Sequence, residues 1–268
     1  MKVLFFGDVF GSPGRRAVAT VLPRLVAAHG IDFVVINGEN AAHGRGITPQ
    51  IADEFFALGA DVITTGNHAW DQREIIPYIE REPRLLRPLN FPGTPENPSP
   101  GRGVAIVSSK KNPAFRLAVL HVIGRVHMEP ADCPFRAADT EIAKLELEGI
   151  RNIFVDFHGD ATSEKQAFAF HVDGRVAAVV GSHSHVQTAD ERVLANGTAA
   201  ITDVGMCGCF DSVIGVKKEI SIQKFVTKRP VKFEPAEGPG GYGAVVVDID
   251  EQRGRARSIL RLREVVVT

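Results

Sequence analysis

Two imidazoles spaced one residue apart, His183 and His185, follow the apolar run Val176-Ala177-Ala178-Val179-Val180 through a single Gly181-Ser182 step. Small and β-branched residues without polar alternation predict a strand covered on both faces, as in an α/β sheet. The carboxyl end of such a strand is where these sheets place their ligands. Four further apolar runs break off in the same way. Val3-Leu4-Phe5-Phe6 gives way to Gly7-Asp8, and Phe33-Val34-Val35-Ile36 to Asn37-Gly38-Glu39-Asn40. Val62-Ile63-Thr64-Thr65 leads into Gly66-Asn67-His68, and Ile153-Phe154-Val155 into Asp156-Phe157-His158. Five strand ends therefore deliver carboxylate, amide and imidazole donors toward one edge.

Such a donor set, without thiolates at the same strand ends, suits Mn, Fe or Zn ahead of Cu(I) or an iron–sulfur cluster. Mg alone has no need of three imidazoles. About seven donors exceed what one tetrahedral ion uses, which predicts two divalent ions. Cations roughly 3.5–4 Å apart need a carboxylate between them, and Glu39 or Asp8 has to bridge.

The elements that position these donors alternate along the first third of the chain. Ser12 reads as an N-cap and Pro13 as the first helical position of a helix to about His29-Gly30. Thr48-Pro49 announces a second helix over 50–58, and Asp71 to Glu80 reads as a third. Strand and helix in alternation predict a parallel sheet with right-handed crossovers. Five prolines between Arg87 and Gly103 exclude a regular element there and predict a surface connection. Gly103 to Ser109 and Arg116 to Ile123 read as strands, and Ala137 to Gly149 as a helix closed by glycine. Thr162-Ser163 is expected to cap a helix through about Phe170, with Gln166 completing a capping box from Ser163. In the last third, Ala199 to Val204, Tyr242 to Ile249 and Ile259 to Val267 read as strands with little helix between them. They are expected to form a second, more antiparallel sheet packed on the first, with helices outside.

The 268 residues, 44% of them hydrophobic, suffice for a substantial core and read as a single domain over 1–268. Thirty-one basic residues against 32 acidic ones leave no global field to draw the chain to nucleic acid or membrane, so RNA is not favoured by charge. Three cysteines, two in Cys207-Gly208-Cys209, make no disulfide framework. With neither a signal-like start nor an 18-residue apolar run, the expectation is an unsecreted, cytoplasmic protein. Gly7 to Gly14 lacks both the spacing and the lysine of a Walker loop. His29, His121 and His171 read as surface or packing residues, while His43, in a glycine-rich loop past Glu39, and His127 are secondary candidates for substrate contact.

The order Gly-Asp, Gly-Glu-Asn, Gly-Asn-His, a lone His and then Gly-x-His-x-His resembles the calcineurin-like metallophosphoesterases. Gly7-Asp8-Val9-Phe10-Gly11, Gly66-Asn67-His68-Ala69-Trp70-Asp71 and Asp211-Ser212-Val213-Ile214-Gly215 point further to their YmdB-like branch, and the resemblance spans almost the whole chain. It implies a four-layer α/β/β/α sandwich of two mixed sheets flanked by helices. By the same resemblance one metal is held by Asp8, Glu39 and His185 and the other by Glu39, Asn67, His158 and His183, with Glu39 as the bridge. The wider superfamily carries His where this chain has Phe10, and Asn40 is the implied replacement ligand. Cys207, Cys209 and Asp160 stand where the branch would have Thr, Pro and Glu.

The implied activity is a dinuclear phosphodiesterase with Fe or Mn, and Zn as third candidate, in which a metal-bridging hydroxide attacks in line. His68, next to Asn67, is the expected proton donor, since an imidazole titrates near neutral pH. The resemblance implies cyclic nucleotides such as 2′,3′-cyclic AMP as substrates, and self-association. The competing expectations are a phosphomonoesterase or protein phosphatase, and a metal-dependent binder of RNA or nucleotides that turns nothing over.

Overall fold

A computed structural model describes residues 1–266. The first part alternates as expected: β1 (Lys2–Phe6), β2 (Asp8–Val9), α1 (Gly11–His29), β3 (Phe33–Asn37), α2 (Pro49–Leu58), β4 (Val62–Thr64), α3 (Ile75–Arg81) and β5 (Leu85–Leu86). The middle gives β6 (Val104–Ser108), β7 (Arg116–Ile123), α4 (Pro134–Leu147), β8 (Ile153–His158), α5 (Thr162–His171) and β9 (Ala178–Ser182). The remainder supplies β10 (Arg192–Val193), β11 (Ala199–Ile201), β12 (Met206–Cys209), α6 (Lys218–Thr227), β13 (Gly240–Asp250) and β14 (Arg255–Val265).

One sheet runs β2-β12-β13-β1-β3-β4-β5, with β14 also paired to β13; the other runs β10-β11-β9-β8-β7-β6. In β1, Val3 and Phe5 face inward onto a shared core with Phe33, Leu117, Phe154 and Val180 from both sheets. Leu4 and Phe6 face outward beneath Val18 and Leu22 of α1 and Phe55 of α2. On the far side, Leu120 and Val155 lie beneath Ile142 of α4 and Phe168 of α5. Both faces of each central strand are thus buried, which is why these runs carry no polar alternation. The result is the expected four-layer α/β/β/α sandwich of two mixed sheets. Among the described residues, no helix is long and apolar enough to cross a membrane.

Several boundaries differ from the sequence reading. The C-terminal hairpin β13–β14 is not part of a second sheet; β13 pairs antiparallel with β1 over Lys2–Phe6 and extends the first sheet. The second sheet is built instead on β7, β8, β9 and β11 in parallel, with antiparallel edges β6 and β10. Val267, the expected end of the last strand, lies outside the described residues. Helix α1 starts at Gly11, one residue before Ser12, with Phe10 at the N-cap and no side-chain cap bond. Thr48 does cap α2, accepting from Ile51 N. The capping box of α5 does not form: Ala161 is the N-cap, and Gln166 donates to Thr202 Oγ1 instead. Helix α3 starts later than Asp71 because Asp71 and Gln72 are engaged in side-chain contacts with His68 and the Arg45 carbonyl. The Pro-rich stretch holds no regular element but is tied to the second sheet through Asn90, which donates to Ile123 O and accepts from Ile123 N. Helix α6 was not foreseen; only Ser221 of its ten residues is buried, so its sequence lacks a clear apolar face.

Candidate metal centre

The carboxyl ends of β1, β3 and β4 from one sheet meet those of β8 and β9 from the other, and the expected donors come together there. Glu39, His158 and His183 each offer a ligand atom within 4.8 Å of the others. Around His158 Nε2 lie Glu39 Oε2 at 2.8 Å, Asn67 Oδ1 at 3.0 Å and His183 Nδ1 at 3.1 Å. One nitrogen with at most one hydrogen cannot serve three such neighbours. Asp8 closes the group from the other side, its Oδ2 accepting from His183 N at 3.1 Å and its Oδ1 standing 3.9 Å from His158 Nδ1.

Asp8, Glu39 and His158 are all buried. Asp8 Oδ1 and Glu39 Oε2 nevertheless have no hydrogen-bond partner; the short approach of Glu39 to His158 lacks hydrogen-bond geometry. Buried carboxylate oxygens without donors are costly unless a cation completes them, so the residues present fit a divalent metal. Gly66 keeps the floor open: a Cβ there would come within 2.5 Å of His158 Nε2 and 2.6 Å of Glu39 Oε1.

The ionisation balance agrees. Burial raises the Asp8 pKa to about 6 against the opposing pull of His185 and His158. Burial alone would push Glu39 up and His158 down, but their proximity reverses both, lowering Glu39 and raising His158 to about 9. Burial, followed by the neighbouring His158, lowers His183 to about 4 and keeps it neutral. A proton on His158 stands where a metal cation would otherwise sit.

His183 and His185 adopt φ of 101° and 63°, a left-handed backbone that L-residues rarely hold without surrounding constraint. The constraint is a buried ion pair absent from the sequence reading. Lys165 Nζ donates to Asp203 Oδ2 at 2.6 Å and to Ser182 O at 2.8 Å, and Asp203 Oδ2 in turn accepts from Ser184 N at 3.0 Å. His185 Nδ1 donates to Ile214 O at 2.8 Å, which presents Nε2 to Asn40 Nδ2 at 3.1 Å. The amide of Asn40 is nearly symmetric in shape, so its oxygen fits the same place. Phe10 sets its ring edge-on against His185 at 5.5 Å, packing the imidazole without coordinating.

A second buried layer fixes His158. Asp156 accepts from Thr64 Oγ1 at 2.6 Å, Ser182 Oγ at 2.7 Å and Asn37 Nδ2 at 3.1 Å. Because a carboxylate only accepts, the Ser182 hydroxyl is committed as donor to Asp156. Its oxygen is then left to accept from His158 Nδ1 at 2.9 Å, which frees Nε2 for a cation. Asp156, Ser182, Asn37, Thr64, Lys165 and Asp203 were not singled out by sequence. The available signal was polar residues inside otherwise apolar strands, Asn37 and Asp156 above all. His121 belongs to this layer too, its Nδ1 3.2 Å from Asp156 O, and burial lowers its pKa so that it stays neutral.

His68 stands at the mouth. Its backbone N–H donates to Glu39 Oε1 at 2.8 Å, and its Nδ1 meets Asp71 Oδ2 at 3.0 Å. The mouth opens into a cavity of about 470 Å³ whose wall includes His43, whereas His127 does not line it. Cys207 is buried, and burial pushes its thiol pKa well up, so it is an inert packing residue.

The family described as YmdB-like protein matches residues 4–262. A Bacillus subtilis protein described as 2′,3′-cyclic-nucleotide 2′-phosphodiesterase is 47% identical over 98% of this chain and 96% of its own length. A solved structure of a hypothetical protein from Thermus thermophilus is similar over 99% of both chains, with 38% identity and a TM-score of 0.89. The structure of a novel phosphatase from Mycoplasma pneumoniae is similar over 99% of this chain and 93% of its own, with 31% identity and a TM-score of 0.90.

Proposed function

The chain belongs to the YmdB-like family, and on that premise we propose that it is a metal-dependent phosphodiesterase acting on nucleoside 2′,3′-cyclic monophosphates, working as one domain. The observation that carries this reading is the crowding of Glu39, Asn67 and His183 about His158 Nε2, beside unpaired oxygens of Asp8 and Glu39, at the floor of an open cavity. Asp8, Glu39 and His185, helped by Asn40, would hold one cation; Glu39, Asn67, His158 and His183 would hold the other. Fe or Mn suits this donor set, with Zn next. When bound, two such cations supply a nucleophile near neutral pH and positive charge for the phosphoryl oxygens.

The protein's own groups do the rest. Two ionised carboxylates, Asp8 and Glu39, offset about half of the roughly four positive charges, and the anionic nucleophile such cations would supply offsets about one more, which would leave the site matched to a singly charged diester rather than a doubly charged monoester. His68 is placed to protonate the departing ribose oxygen. Asp71 orients that imidazole through its contact with Nδ1. The B. subtilis relative's name supports the choice of substrate.

The test is hydrolysis of bis-p-nitrophenyl phosphate and p-nitrophenyl phosphate by metal-stripped protein reloaded separately with Mn, Fe, Zn or Mg. Diester cleavage restored by Mn or Fe, and abolished in Glu39→Gln with the fold intact, is the expected result. A preference for the monoester would replace this reading with a phosphatase, and two bound metals without turnover would replace it with a binder.

A further inference from the structure

Helix α6 leaves Ile222, Phe225 and Val226 at 56%, 69% and 77% exposure, which folding alone does not explain. Phe225 and Ser221 lie one turn apart on the face that lines the cavity above the metal centre, and Phe233 lines it from the irregular return of the same segment. The segment is tied at its neck. Lys217 N donates to Glu234 O at 3.0 Å, Ala236 N to Gly215 O at 2.8 Å, and Lys217 pairs with Glu234 at 2.7 Å. Within that neck Ile214, a β-branched residue at φ 48°, offers its carbonyl to His185 while its side chain lines the cavity. The backbone that orients a metal-centre imidazole thus also sets the apolar wall. The opposite wall is polar, with exposed His43 and Arg45, neither of which has an ion-pair partner among the described residues.

A cavity of about 470 Å³ exceeds what a phosphoryl group needs and lies within the range of small-molecule sites. We propose that Phe225 and Phe233 form the stacking wall that takes the nucleobase of the substrate, with Ile214 beneath it. This rests on the phosphodiesterase reading above and adds where nucleotide preference resides. Every base has a π-face, and the two phenyl rings carry no donors or acceptors of their own, so their stacking favours nucleotides over base-free diesters while discriminating little among bases.

The experiment compares KM for 2′,3′-cyclic AMP with KM for methyl p-nitrophenyl phosphate, a diester without a base, in the metal-loaded protein. In Phe225→Ala/Phe233→Ala the ratio of the two KM values is expected to rise about tenfold, as loss of base stacking does elsewhere. Phe225→Trp is expected to keep the ratio within about twofold of wild type. An unaltered ratio in the double alanine variant overturns the proposal. Adenosine binding by calorimetry requires no turnover: weakening in the double variant supports the wall, and equal binding refutes it even for a protein that cleaves no diester. Failure of the unsubstituted protein to cleave either diester, with adenosine binding still lost in the variant, refutes the phosphodiesterase reading and leaves the wall standing.

Discussion

Ser182→Ala removes one hydroxyl that touches no substrate, yet it is expected to weaken metal binding about 10- to 100-fold, the usual effect of losing a hydrogen-bonding partner of a metal-ligating histidine. That range is equivalent to about 1.4–2.8 kcal/mol at roughly 1.4 kcal/mol per tenfold. In the intact protein Ser182 donates to Asp156 and accepts from His158 Nδ1, so Nδ1 keeps its proton and Nε2 is the nitrogen whose proton a cation would displace. Without the hydroxyl, Nδ1 loses its acceptor, and Asp8 Oδ1 at 3.9 Å lies beyond hydrogen-bond reach. Glu39 Oε2, 2.8 Å from Nε2, then draws the proton to the very atom that should bind the metal. Asp156 keeps its bonds from Asn37 and Thr64, so the strand ends remain pinned and the fold is retained. Asp156→Asn acts in the same direction by another route, because its amide can donate to Ser182 and turn that hydroxyl toward His158. Titration of metal-stripped protein with Mn(II) against a competing chelator measures the effect. A dissociation constant within about twofold of wild type, in a folded variant, would refute the relay.

The buried charges carry further expected outcomes. In the metal-free protein the raised pKa of His158, about 9, contributes stability that is complete below the ordinary imidazole value of about 6.5 and is lost as pH rises through 9. The melting temperature of the stripped protein should therefore fall between pH 7 and 9. At pH 7 metal loading should release about one proton, that of His158, read as a buffer-dependent binding enthalpy; equal enthalpies in buffers of different ionisation heat would contradict this. Lys165→Met strands Asp203, which is 1% exposed, without its cation and should cost about 3–5 kcal/mol in urea unfolding. The same variant should weaken metal binding, since Asp203 holds Ser184 between the two imidazoles; a loss below about 1 kcal/mol would mean that the pair is not what braces the loop.

The donors themselves were legible because a strand buried on both faces leaves an uninterrupted apolar run, and whatever follows it is delivered to the sheet edge. Asp8, Glu39, Asn67, His158, His183 and His185 all come to one edge for that reason. Helices opened by a proline in the first turn, such as α2, were equally readable, since the signal is local. Where signals competed, local reading failed. Ser163 and Gln166 have the spacing of a capping box, but Thr202 on a neighbouring strand takes the Gln166 amide. The partner of a strand is a long-range choice, and nothing within Gly240–Asp250 records that it pairs with β1 instead of founding a second sheet. What only the tertiary structure decided is the layer behind the candidate ligands. Lys165 against Asp203, and Asp156 through Ser182 to His158, join residues from different elements, and each alone reads as an ordinary polar side chain. The sequence by itself determined which groups reach the site, because burial of both strand faces is written locally. Their protons and orientations depend on hydrogen bonds made across the two sheets, and those exist only once the sheets have met.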